Sequence, residues 1–196
     1  MAALVESMFY VREKPWHGLG TRVEDAPTSA DALRLAGLDW TVEQQDVMNA
    51  GDWMKIPGYK CNVRSSDSRV LGIVSDRYKV VQNTEAFAFT DALIGGDVRY
   101  ETAGSLRDGK QVWMLARLHD TQLVGDRVEQ YLCFTNTHDG TGAIRVCVTP
   151  VRVVCNNTLN LALESAKRAW SVRHVGDIEA KIHEAQMCLE LADKYN

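Results

Sequence analysis

Four runs in the second half of the chain are rich in apolar, β-branched and aromatic residues, a pattern typical of β-strands. These runs span residues 97–106, 110–118, 127–137 and 143–155. Residues 107–109 (Arg-Asp-Gly) and 138–140 (His-Asp-Gly) separate the members of each pair, and both tripeptides are typical of tight turns. The pattern predicts two consecutive hairpins, hence a four-stranded antiparallel meander. Pro150 indicates a bulge or an edge in the last strand.

A smaller set of elements is predicted before the meander. Residues 27–37 begin with Pro-Thr-Ser and end with a glycine, which predicts a short helix. Residues 40–49 alternate as a strand, and 59–75 predict two strands joined by a Ser-Ser-Asp-Ser turn. A helix over 84–94 is expected to be capped by Asn83.

Helical patterns follow the meander. Asn156 or Asn157 is expected to cap a helix that continues to about Trp170, because an asparagine oxygen accepts from free amides of a first helical turn. A last helix is predicted from Ile178 to Lys194.

These elements predict an α+β fold, an antiparallel β-meander packed on helices with a small N-terminal α/β segment. The predicted parts are 1–82, 83–175 and 176–196, joined in one compact domain.

Composition narrows the functional classes. The 196 residues are 45% hydrophobic and 24% charged, as in soluble globular proteins, and contain no apolar run long enough to span a membrane. The first residues lack the basic and apolar regions of a secretory signal. The five cysteines show no C-x-x-C spacing, so a cytoplasmic protein without structural zinc or another cofactor is predicted.

The charge is unevenly distributed along the chain. A net charge of −4 argues against an indiscriminate nucleic-acid binder. Between residues 140 and 175, however, Glu164 is the only acidic residue, and His174 lies near the end of that segment. Its basic residues are Arg145, Arg152, Lys167, Arg168 and Arg173. A row of this kind is what phosphate contacts require.

The joint between the last strand and the helix is the predicted centre of that basic surface. Arg152 alternates with valines and should project from the opposite strand face. The helix end at Asn156 and Asn157 would offer amides to a phosphate, although helix capping alone also explains the asparagines. Trp170 and Tyr131 are candidate platforms for base stacking.

A catalytic or metal site is the competing interpretation. The stretch Thr-Asn-Thr-His-Asp-Gly brings Asn136, His138 and Asp139 together, and His17 lies near the N-terminus. Three ligands seldom converge from one tight turn, and no established nucleophile, phosphate-loop or zinc motif is present. The sequence therefore predicts no catalytic residues and no metal.

Five segments together resemble a known family. They are "PWHGLG", "SDRYKVVQNTEAFAF", "YETAGSLRDGKQVWMLARL", "TNTHDG" and "TPVRVVCNNTLNLAL". In this order they resemble the phage/plasmid-like protein family, domain-of-unknown-function family 932. The resemblance implies a mobile-element protein in the cytoplasm of a bacterial host, and implies no activity.

The order of elements also resembles the single-strand annealing proteins of the Rad52 superfamily, in which a β-meander feeds a helix. That resemblance implies a homo-oligomeric ring or filament that holds single-stranded DNA by its backbone, without catalysis. Single-stranded DNA binding with annealing or recombination is thus the expected function. The alternatives are a protein-interaction or counter-defence module acting on a host protein or nucleotide signal, and an enzyme using His17, His138 and Asp139.

Overall fold

The computed structural model describes residues 4–95, 97–118, 121–123, 126–174, 176–177 and 179–189. The strands, in chain order, are β1 (Val5–Val11), β2 (Thr21–Val23), β3 (Val42–Met48), β4 (Lys55–Arg64), β5 (Val70–Ser75), β6 (Tyr100–Leu106), β7 (Gln111–Arg117), β8 (Thr121–Leu123), β9 (Asp126–Val128), β10 (Tyr131–Thr137), β11 (Ile144–Thr149) and β12 (Arg168–Val172). The helices are α1 (Ser29–Leu35), α2 (Asn83–Ile94), α3 (Asn156–Ser165) and α4 (Ile182–Leu189), with a 3-10 turn at Glu179–Lys181. The predicted α+β class is confirmed.

The central seven-stranded sheet has the order β12-β11-β10-β7-β6-β1-β2. The predicted meander β6-β7-β10-β11 forms its middle, with every neighbouring pair antiparallel. Arg107, Asp108 and Gly109 all have positive φ at the first turn, a conformation that a tight hairpin turn needs and that glycine adopts without strain. Both predicted hairpins are therefore confirmed.

The first strands of the chain were not predicted. β1 pairs antiparallel with β6, with Phe9 opposite Ala103, and β2 pairs parallel with β1. The four residues from Met8 to Val11 are all buried, so β1 has no polar alternation that would identify it as a strand. These two strands of the predicted N-terminal segment complete the core sheet.

Apolar side chains cover both faces of this sheet. Helices α1, α2 and α4 pack on one face over residues such as Phe134 and Val146. Helix α3 packs on the other face through Leu159 and Ala162, over Trp113 and Cys147. A sheet covered on both sides explains why β6, β7 and β10 are buried along nearly their whole length.

The three strands predicted in residues 40–75 are present, and they form a second sheet in the order β3-β4-β5. Its inner side carries the buried side chains of Asn62 and Arg64. At Gly72 a Cβ atom would lie 2.7 Å from the Cα and carbonyl oxygen of Asp139. The sheet can therefore approach the β10–β11 turn only because this position has no side chain.

Three predicted details are wrong. The last meander strand ends at Thr149, ahead of Pro150, so residues 151–154 are not in a strand. The following helix ends at Ser165, because Ala166 is extended at φ −66° and ψ 126°. Trp170 instead lies in β12, where burial alternates as in a strand.

The predicted caps differ as well. Cys155 is the N-cap of α3 and its backbone N–H donates to the Thr158 hydroxyl, so Asn156 and Asn157 are helical residues rather than caps. Gln82, not Asn83, is the N-cap of α2.

In the described part of the chain, no helix has the length and apolarity to cross a membrane. The predicted end of the last helix, residues 190–194, lies outside the described residues.

Candidate nucleic-acid interface

Two of the predicted basic residues meet at the outer edge of the core sheet. Arg145 on β11 lies opposite Ser171 on the edge strand β12, and Arg173 comes two residues after Ser171. Arg173 directly follows the end of β12, and both arginines line the same cleft. Both arginines are exposed, and neither forms an ion pair with any carboxylate of the described residues.

The two guanidinium groups border a cleft of about 360 Å³. Ser75, Tyr78 and His174 also line the cleft, as does the turn formed by residues 140–143. A Cβ atom at Gly140 would lie 2.8 Å from Cγ1 of Val74, and φ of this glycine is +79°. Glycine at this turn therefore lets the turn close against the three-stranded sheet.

His174 is held in a fixed orientation in the cleft wall. Its ring stacks on Tyr78 with 4.5 Å between centroids and 16° between planes. Its Nδ1 is 3.0 Å from the carbonyl oxygen of Lys79, and its own carbonyl accepts from the Lys79 N–H at 2.8 Å. A carbonyl only accepts, so Nδ1 carries the proton. The side chain is 3% exposed, and burial lowers the pKa of His174.

His138 and Asp139, the candidates for a catalytic or metal site, have structural contacts. His138 is fully buried, and its Nε2 donates to the side-chain oxygen of Asn83 at 3.1 Å. Burial and the nearby His174 lower the pKa of His138 to about 3, so the ring is neutral at physiological pH. The Asp139 carboxylate accepts from the backbone N–H and the hydroxyl of Thr141, which closes the turn.

His17, the third candidate for a catalytic site, does not line the cleft. Its Nε2 is 2.9 Å from the Val154 carbonyl, and its Nδ1 accepts from the Leu19 N–H. Among the residues that the structure describes, no three His, Cys, Asp or Glu side chains are grouped closely enough to hold a metal ion.

Arg152 does not project from an open face as predicted. Its Nε donates to Oε1 of Glu101 at 2.9 Å, and its other nitrogens donate to the carbonyls of Val11 and Glu13. Because β11 ends at Thr149, the alternation from Val151 to Val153 is no longer that of a sheet, and Arg152 contacts the N-terminal segment instead. Arg152 thus anchors that segment.

Glu101 is the centre of an ion-pair cluster. Its side chain is 0% exposed. Arg12 donates to it at 3.0 Å and Arg117 at 2.7 Å, in addition to Arg152. Arg12 also binds Glu129 at 2.6 Å, and this contact lowers the pKa of Glu129 to about 2. The three arginines satisfy the charge of the buried carboxylate.

The two predicted stacking residues are buried. Trp170 is 5% exposed, packs on Phe89 with 5.7 Å between ring centroids, and donates from Nε1 to Glu184. Tyr131 is 1% exposed and its hydroxyl donates to Glu129. Neither ring presents a face on which a base could stack in this structure.

The remaining predicted residues lie away from the cleft lining. Asn156 accepts from Arg107 at 3.3 Å, and Asn157 and Lys167 are exposed. Arg168 donates to the Leu189 carbonyl at 3.3 Å and is part of the contact between β12 and α4.

Of the predicted binding residues, the cleft therefore contains Arg145 and Arg173. The sequence did not predict that Ser75, Tyr78 and the glycine turn line the cleft. Only the Asp-Gly dipeptide signalled the turn, and nothing in the sequence pairs it with β5.

A family model for a domain of unknown function, DUF932, matches residues 70–196, which include the meander, α3 and the whole cleft lining. Searches of curated proteins and of solved structures found no match.

Proposed function

We propose that this chain, which belongs to the DUF932 family of domains of unknown function, binds single-stranded DNA by its phosphates in the Arg145–Arg173 cleft and promotes strand annealing. It would act without catalysis, as a mobile-element protein in the cytoplasm of a bacterial host. The observation that supports the proposal is the pair of arginines in one cleft lining, without a carboxylate partner among the described residues.

Arginines without partners are suited to phosphate. The guanidinium fork matches phosphate oxygens in two parallel hydrogen bonds, and it carries its charge at every physiological pH. Elsewhere in this chain arginine forks hold carboxylates, as Arg64 does with Glu6 at 2.8 and 2.9 Å. The cleft arginines have no such carboxylate in the described part of the chain, so an anion would not need to displace one.

The cleft chemistry favours backbone contact over base contact. Tyr78 is the one aromatic residue besides His174 among its lining residues, and its ring is covered by the stacked imidazole. A strand held in this way would keep its bases free for pairing, which annealing requires. The order of meander and helix resembles the Rad52 superfamily, and a homo-oligomer that repeats two arginines would gain affinity through multivalency.

The test is fluorescence anisotropy with a labelled oligothymidylate. Arg145→Ala combined with Arg173→Ala should weaken binding roughly 100-fold, because each charged contact contributes about 1.4 kcal/mol. Two phosphate contacts per subunit also predict a log–log salt slope of about −1.4, which the double variant should lose.

Arg22→Ala combined with Arg34→Ala is the matched control. It removes the same charge from β2 and α1, and β2 is the opposite edge of the sheet from β12. Equal loss of affinity in both double variants would mean that binding responds to net charge alone and would refute the cleft. Annealing of complementary strands should follow the same ranking of variants.

A protein-interaction or counter-defence module is the second candidate, and exposed apolar residues favour it. Trp53 and Met54 lie between β3 and β4 and are 74% and 67% exposed, while Tyr59, Val70 and Ile73 are exposed on the strands. Apolar groups concentrated on one sheet mark interaction surfaces. If this function is correct, Trp53→Ser with Ile73→Ser should abolish capture of a protein from nuclease-treated host lysate, and Arg145→Ala with Arg173→Ala should not.

A further inference from the structure

One nitrogen in the wall of the cleft has no partner. Nδ1 of His174 is used by the Lys79 carbonyl, so in the neutral ring Nε2 carries only a lone pair. Nε2 is buried and has no hydrogen-bond partner in the part of the chain that is described. A buried polar atom without a partner is costly, and in a residue that lines a cleft it is a candidate for bonding to a ligand.

Resting on the proposed function, we propose that His174 is a third phosphate-binding group of the cleft, which takes up a proton when the phosphate binds. Protonated Nε2 would donate to a phosphate oxygen, beside the guanidinium groups of Arg145 and Arg173. The bond to Lys79 is kept, because Nδ1 remains a donor in both forms of the ring.

Burial lowers the pKa of His174, whereas its hydrogen bond to the Lys79 carbonyl raises it. Arg145 and Arg173 line the same cleft, Lys79 is its backbone partner, and His138 lies nearby. Tyr78 covers one ring face, its hydroxyl donates to the Thr137 carbonyl at 2.6 Å, and burial raises its pKa, so it adds no charge. Asp139 is the acidic group near Tyr78, and Thr141 occupies its carboxylate.

A bound phosphate would act against the effect of burial. It would place negative charge beside His174, which favours the imidazolium form. Phosphate binding and protonation are thermodynamically linked. If a bound phosphate raises the proton affinity of His174, then protonation of His174 must raise the affinity for phosphate by the same factor. Strand affinity should therefore increase as the pH falls from about 8 to about 6, the range in which histidine titrates.

The experiment measures binding of a labelled oligothymidylate at constant ionic strength from about pH 8 to about pH 6. The wild-type protein should bind about tenfold more tightly at the acidic end, up to the limit of tenfold per pH unit for one proton. His174→Asn should bind with an affinity that no longer changes with pH. Asparagine can still donate from the Nδ position to the Lys79 carbonyl, so the fold is preserved, which circular dichroism checks.

His183→Asn is the matched control, because His183 is exposed on α4 and does not line the cleft. It should keep the full pH dependence. Calorimetry in two buffers of different ionisation enthalpy should detect proton uptake in the wild type and not in His174→Asn. Equal pH dependence in the wild type and His174→Asn would overturn the role of His174 and leave the arginine cleft intact. Binding that is insensitive to Arg145→Ala with Arg173→Ala would instead refute the proposed function.

Discussion

Replacing Glu101 by glutamine tests whether the buried ion-pair cluster stabilises the fold. The substitution keeps the shape of the side chain but removes its charge and replaces one acceptor oxygen by an NH₂ donor. Arg152 and Arg12 donate to one oxygen at 2.9 and 3.0 Å, and Arg117 donates to the other at 2.7 Å. In every orientation, therefore, the new NH₂ group would face at least one arginine donor.

The expected cost follows from burial. Removing one partner of a buried ion pair costs about 3–5 kcal/mol, because the remaining charge loses its compensation. The arginine side chains are 23–41% exposed, so water can solvate them in part. We therefore expect the lower end, about 3 kcal/mol. For a chain of 196 residues this corresponds to a melting temperature lower by about 6–12 °C.

Urea unfolding followed by tryptophan fluorescence measures the loss. Asp97→Asn is the control, since Asp97 is 73% exposed and pairs with Arg99 at the surface. That pair should contribute less than about 1 kcal/mol. If Glu101→Gln loses no more free energy of unfolding than Asp97→Asn, the cluster does not stabilise the fold and the reasoning is refuted.

Three other predictions concern packing and titration. Gly72→Ala should lower the free energy of unfolding by about 2 kcal/mol in urea titrations, because its Cβ would overlap the Asp139 backbone. Gly51→Ala is the control and should change the free energy of unfolding little, because a Cβ at Gly51 would lie 3.4 Å from its nearest neighbour. His138 binds a proton in the unfolded chain near its ordinary pKa but in the folded chain only near pH 3, so stability should fall as the pH drops below about 6.5, by up to about 1.4 kcal/mol per pH unit. Urea midpoints measured down to about pH 5 should show this slope, and His138→Gln should reduce it. Trp170→Phe should lower stability by about 1 kcal/mol and leave oligonucleotide affinity unchanged, since the ring is in the core; a selective loss of affinity in anisotropy measurements would contradict its buried position.

Local signals were sufficient for the meander. Turn residues and runs of β-favouring residues identify β6, β7, β10 and β11, because each strand and turn is specified by neighbours in sequence. The helix end at Ser165 is different. Residues 166–170 could continue a helix by composition, and what holds them extended is the pairing of β12 with β11, in which Trp170 lies opposite Val146. Tertiary pairing overrides local preference at this point.

For a similar reason, the charge pattern of the sequence could not predict which arginines form an accessible site. Arg152 and Arg145 look alike in a row of valines, yet Arg152 meets Glu101, which is 51 residues away in the chain. Trp170 between two arginines likewise resembles a stacking platform, but α2 supplies Phe89 to cover it. Which arginine remains without a carboxylate depends on contacts between distant segments, and no spacing within one segment carries that information.

The position of the cleft follows from how the two sheets meet. The β10–β11 turn must pass close to the three-stranded sheet, and glycine at positions 72 and 140 makes this approach possible without a Cβ in the way. The same approach brings Tyr78 against Thr137 and stacks His174 on Tyr78, so the wall of the cleft is rigid where the arginines are exposed. A preorganised wall lowers the entropy that a bound phosphate would have to overcome. His174 therefore also supports the cleft wall through its stacking on Tyr78. A substitution that separates the two sheets, such as Gly72→Ala, should weaken strand binding even though it leaves both arginines in place.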